Sequence, residues 1–145
     1  MKHYSTHAID QFTKYALKDT AAFNWLINND HRELVATFDA IRDDKKSFKY
    51  LMDNKHFVLA AFVNAIWDDS KAFQFLMKVK AFQWAACANT INGDEKAEEF
   101  LKKSGYGHYV LLAHAIQMMI HEDGDRNISP VGVMKNLFNF KKAFE

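Results

Sequence analysis

The sequence predicts an all-α fold: a right-handed α-solenoid of four 25-residue helix-turn-helix repeats, closed off by N- and C-terminal capping helices. Three observations predict it. Asp19, Asp44, Asp69 and Asp94 recur at one fixed interval. Each is followed by a small residue (Ala22, Ser47, Ala72, Ala97), then by an aromatic and a leucine (Trp25-Leu26, Tyr50-Leu51, Phe75-Leu76, Phe100-Leu101). Ile41, Ile66, Ile91 and Ile116 then stand fifteen residues beyond those leucines, identical in all four units. A fixed period without insertion is the signature of stacked supersecondary units. The period is shorter than those of TPR, ankyrin and HEAT arrays, and the TPR and ankyrin signature residues are missing.

The elements follow in order. Residues 8–18 place Ile9 and Phe12 where a full unit has Leu34 and Thr37, so they read as a half repeat that caps the N-terminal side. The repeats are 19–43, 44–68, 69–93 and 94–118. In each, the aspartate is a good N-cap and the residues after it keep helical rather than alternating spacing. Ala22, Phe23, Leu26 and Ile27 fall on one broad face of the first helix, with Lys46, Lys71 and Lys96 opposite. In the second helix, Leu34, Thr37, Phe38 and Ile41 keep the i, i+3, i+4, i+7 spacing of a buried stripe. Ala36 with Ala40, and Ala61 with Ala65, form a face small enough for neighbouring helices to approach closely. The frame lapses after Ile120, and the Gly- and Asp-rich stretch His121 to Asn127 is expected as a turn. Ser129 as N-cap and Pro130 at the first helical position then start a C-terminal capping helix, 129–145, with Val133, Met134, Leu137, Phe138 and Phe144 apolar. Residues 1–145 form a single domain on this reading.

Composition bounds the function. Apolar types make up 49% of the 145 residues and Phe appears 13 times against one Pro, which excludes disordered and collagen-like classes. A formal net charge of +1 gives no long-range field that would advertise a nucleic-acid partner. The single Cys87 cannot form an internal disulfide and fits a reducing compartment. No apolar run reaches the roughly 18 residues that span a bilayer, and no leader pattern is seen, so a cytoplasmic location is expected.

The main functional signal is a frame position that stays polar in an otherwise apolar second helix: Asp39, Asn64, Asn89 and His114. Stacking is expected to set them in an exposed row, beside Arg42, Trp67, Asn92 and Gln117 and near Arg32, Phe57 and Phe82. Amides and imidazole both donate and accept, which suits an extended peptide backbone, while Trp67, Phe57 and Phe82 supply apolar anchors. The expected binding residues are therefore Asp39, Asn64, Trp67, Asn89, His114, Phe57 and Phe82, and the expected partner is a protein or peptide. The alternative is a nucleic-acid-associated module using the basic ridge Lys46, Lys71 and Lys96 with Lys49, Lys78 and Lys103.

Other constellations are weaker. Asp123 to Ser129 resembles the opening of a calcium loop, but Ile128 stands where the turn glycine belongs and Met134 where the bidentate glutamate belongs. The pairs His3 with His7 and His114 with His121 lack the partners that complete a metal site. Cys87 falls on the core stripe, where a thiol acts as a small hydrophobe. No Gly-rich phosphate loop, nucleophile elbow or zinc-protease motif occurs, so neither a cofactor nor an enzyme is the first expectation. A pocket around His114, His121 and Glu122 is the enzymatic alternative.

Overall fold

A computed structural model describes residues 2–126, with side chains to Asp123, and every regular element among them is helical. The helices are α1 (Thr6–Ala16), α2 (Thr20–Asn28), α3 (Arg32–Ile41), α4 (Lys45–Asp53), α5 (Phe57–Ile66), α6 (Ser70–Lys78), α7 (Phe82–Ile91), α8 (Glu95–Lys103) and α9 (Gly107–Arg126). The starts of α2, α4, α6 and α8 keep the 25-residue frame, as do those of α3, α5, α7 and α9. The expected capping helix 129–145 lies outside the described residues.

The helix ends are set by local chemistry. Asp19, Asp44, Asp69 and Asp94 are the N-caps of α2, α4, α6 and α8, and each side chain accepts from two backbone N–H groups of the first turn. The same residues close the preceding helix, since the backbone N–H of Asp69 donates to the Asn64 carbonyl at 3.0 Å and that of Asp94 to Asn89 at 3.0 Å. This six-residue closure needs a left-handed residue just before it. That residue is Lys18, Asp43, Asp68 or Gly93, with φ of 71°, 73°, 75° and 91°. One aspartate therefore ends one helix and begins the next, which explains why the frame tolerates no insertion there.

α1, α3, α5, α7 and α9 form an inner set, each against the next, with α2, α4, α6 and α8 outside them. Three frame positions supply the core. The first is Ile9, Leu34, Leu59, Trp84 and Tyr109; the second Phe12, Thr37, Phe62, Cys87 and Leu112; the third Ala16, Ile41, Ile66, Ile91 and Ile116. All are buried. At the second position large and small side chains alternate along the inner helices, which lets a crowded centre fill without strain. The outer helices bury a narrower face than the sequence suggests: Ala22 and Leu26 are inside, whereas Phe23 is 37% exposed.

Two features differ from the expected solenoid with its terminal caps. In an open solenoid each unit touches only its neighbours. Here α9 packs against α1, so the succession of inner helices returns on itself. The seam carries two ion pairs, Lys18 Nζ to Glu122 Oε1 at 3.2 Å and Arg42 Nε to Asp123 Oδ2 at 2.9 Å. They also explain the second departure. His121 to Arg126, expected as a turn and as the start of a calcium loop, continues α9, because pairing with Lys18 and Arg42 holds Glu122 and Asp123 on the helix. The rest of that loop lies outside the described residues.

At the other end of the inner helices, the N-terminal segment folds over the core. Lys2 Nζ and Tyr4 Oη donate to the buried Glu33 carboxylate at 2.6 and 2.8 Å, and the Tyr4 ring meets Trp84 edge-on. Burial works to raise the Glu33 pKa, but these two hydrogen bonds, a backbone hydrogen bond and the Lys2 charge together outweigh it and hold the carboxyl below its ordinary value. No described helix is long and apolar enough to cross a membrane.

Candidate binding groove

The residues that follow Ile66, Ile91 and Ile116 each clip one inner helix to the previous one. Trp67 Nε1 donates to the Ile41 carbonyl at 3.1 Å, Asn92 Nδ2 to Ile66 at 3.3 Å, and Gln117 Nε2 to Ile91 at 3.1 Å. These carbonyls sit in last turns, where intrahelical donors run out. Arg42 holds the same frame position after Ile41, but one period earlier stands Ala16 rather than an isoleucine, and Arg42 reaches Asp123 instead. The Trp67 indole N–H is therefore engaged inside the protein, and only its ring is offered outward.

The polar row is not the open ridge that its spacing suggests. Asp39, Asn64 and Trp67 are half-buried and Asn89 is fully buried, while His114, Phe57 and Phe82 are exposed. The physical reason lies in the outer helices, which border this face and turn it into grooves. Arg32, Ala36 and Asp39 share a groove of about 390 Å³ with Phe23 of α2 and Tyr50 of α4. Asn64 and Trp67 line another of about 410 Å³ with Ala40, Phe48, Val63 and the loop residues Asp43, Asp44 and Lys45.

The members of the row differ in what they meet. Asp39 accepts a hydrogen bond from Tyr15 Oη at 2.8 Å; burial pushes its carboxyl above the usual range, with the Tyr15 bond pulling the other way. The Asn64 side-chain amide has no hydrogen-bond partner among the described residues, and it faces the 410 Å³ groove. Both polar atoms of the Asn89 side chain are buried without a hydrogen-bond partner among the described residues. His114 Nε2 lies 2.5 Å from Glu98 Oε1. Phe57 and Phe82 open α5 and α7 at the other end of the inner helices, and Phe57 borders a small cavity with Lys2, Tyr4, His56 and Trp84. At 1.5 Å per residue, Phe57 and Trp67 are about 15 Å apart along the axis, so they do not share one groove.

Six groove residues escaped the sequence reading as binding residues: Ala40, Asp43, Asp44, Lys45, Phe48 and Val63. The frame held a signal for the first. Twenty-five residues before Ala40 stands Tyr15, so one period of the frame receives a phenol ring where the next has only a methyl group.

Comparison with protein-family models, curated proteins and solved structures returns no match. The geometry alone therefore carries the chemistry. Among the described residues no group of three or more His, Cys, Asp and Glu side chains could hold a metal ion. Cys87 is buried with its Sγ 3.5 Å from the Tyr109 carbonyl, and burial pushes its thiol far above the ordinary range, as its place on the core stripe implies. On the basic ridge, Lys49 pairs with Asp53 at 2.7 Å and Lys103 with Glu99 at 2.6 Å, which neutralises part of the charge that a phosphate backbone would need. What the groove offers is an apolar slot with an unpartnered amide in its wall and carboxylates at its rim, an arrangement suited to binding.

Proposed function

We propose that this protein is a non-enzymatic binding module for a protein or peptide, working in the cytoplasm and built as four 25-residue helical units wound right-handed around a shared core. The groove lined by Asn64 and Trp67 carries this reading. Its volume, about 410 Å³, lies within the roughly 300–1,000 Å³ of typical ligand pockets, and it joins aromatic walls to one unpaired amide. Apolar area of that kind supplies affinity, while an amide that both donates and accepts supplies orientation.

Selection of a random peptide library on the immobilised protein tests the reading. Enriched peptides should bind the wild-type chain and lose at least tenfold affinity on Trp67→Ala or Asn64→Arg, with both variants still helical by circular dichroism. Peptides whose affinity ignores both substitutions would count against the groove. Binding of a nucleic-acid probe that weakens steeply with salt would favour the lysine ridge of α4, α6 and α8 instead.

A further inference from the structure

The chain carries its own template for what the groove accepts. At the equivalent place one period earlier, which is not part of the 390 Å³ groove, Tyr15 of α1 lies between Phe23 of α2 and Phe38 of α3, with ring centroids 5.7 and 5.5 Å away. Its hydroxyl donates to Asp39 at 2.8 Å. Shifting each of these residues by one period gives Ala40 for Tyr15, Phe48 for Phe23, Val63 for Phe38 and Asn64 for Asp39. All four line the 410 Å³ groove. The apolar walls are kept and the polar acceptor is kept, but the ring that fills the space is missing.

We propose that this groove binds the side chain of a tyrosine presented by a partner polypeptide, its ring between Phe48 and Val63 and its hydroxyl on the Asn64 amide. The proposal rests on the peptide-binding reading above and names the residue it recognises. Space is sufficient, since a cavity of about 150 Å³ already admits benzene, and the remainder can take flanking peptide. The hydrogen-bond chemistry is complementary. At the place that Tyr15 fills, Asp39 accepts only and Tyr15 supplies the donor. Asn64 presents both a carbonyl oxygen and an NH₂ group, so it serves a phenol that donates or accepts without a buried charge in the slot. The rim adds a sign preference: Asp43 and Asp44 are exposed at the mouth, with Lys45 beside them, which favours a tyrosine flanked by basic rather than acidic residues. A site that hydrogen-bonds a substrate hydroxyl discriminates strongly against the analogue lacking it, because the site's polar group is then left unpaired.

The experiment compares p-cresol, the tyrosine side chain as a free molecule, with toluene, the phenylalanine equivalent. Each is titrated into the full chain and followed by amide NMR at the Asn64 side chain and the Trp67 indole. The expected result is p-cresol binding at these two signals at least tenfold tighter than toluene. Ala40→Tyr should fill the groove from within, as Tyr15 fills the equivalent place, and remove p-cresol binding by at least tenfold. Asn64→Leu keeps the slot and removes the amide, and should bring p-cresol and toluene to equal affinity. Equal affinities in the wild type, or p-cresol binding indifferent to Ala40→Tyr, overturn the proposal. The two readings separate through the selected peptides. Peptides that lack tyrosine yet lose binding on Ala40→Tyr overturn the phenol assignment and leave the peptide groove standing. Peptides indifferent to Ala40→Tyr sink the groove reading itself, whatever p-cresol does.

Discussion

Arg42 grips Asp123 with two hydrogen bonds, Nε to Oδ2 at 2.9 Å and Nη2 to Oδ1 at 3.1 Å, and so ties the end of α3 to the end of α9 across 81 residues of sequence. A forked pair of this kind is stronger than a single contact between a lysine and a carboxylate. The Asp123 side chain is only 19% exposed, so solvent screens it less than the pairs on the outer helices. Arg42→Ala should lower stability by about 1 kcal/mol in urea denaturation, and Lys49→Ala, which breaks an exposed pair within one helix, should lower it measurably less. Equal effects would mean that the seam contributes no more than the surface.

Glu33 gives a pH dependence with a definite sign. Its folded pKa lies below the unfolded value because Lys2 and Tyr4 hydrogen-bond the charged form. A group of that kind contributes stability above its unfolded pKa, and the contribution is lost as pH falls through the folded value. Glu33→Gln should therefore cost about 1–3 kcal/mol at neutral pH, the usual size for a buried charge-assisted bond. The gap between the two proteins should narrow as the pH is lowered below the ordinary carboxylate range. Chemical denaturation at neutral and acid pH checks it, and a gap that stays constant would remove the charged form from the account.

Asn89 sits in the core with its amide oxygen and nitrogen both without a partner among the described residues. An orphaned buried polar group costs about 1–3 kcal/mol, and an apolar group of similar shape escapes that cost. Asn89→Leu should accordingly raise the melting temperature, whereas Asn64→Leu, at a half-buried position, should change it far less. A fall in melting temperature for Asn89→Leu would show that the amide is satisfied in solution.

Much of the fold was legible because its signals are local. Asp19, Asp44, Asp69 and Asp94 cap helices through their own side chains, and the four isoleucines fall on a stripe that any helical wheel exposes. The meeting of α1 with α9 was not, because closure depends on the small rotation each helix pair adds, and no single residue encodes that angle. The site divides the same way. The wheel put Asn64 and Trp67 side by side, and they do line one groove. It also put Asn89 in solvent, and the structure buries it. Periodicity tells which residues share a face but not what lies across that face. The helical path from His121 to Arg126 was hidden for a related reason: its composition favours a turn, and its partners Lys18 and Arg42 lie far away in sequence.

The contact between α1 and α9 also bears on how such a chain could change over evolutionary time. Open arrays lengthen or shorten by whole units, since each addition creates the same interface it displaces. Here a further helix pair would push α9 away from α1, breaking the seam pairs to Lys18 and Arg42 and uncovering Ile9, Phe12 and Ala16 without a compensating surface. The same closure removes the frayed ends from which a linear array begins to melt. Such a molecule is expected to open as one piece, and to diverge through its groove residues rather than through its length.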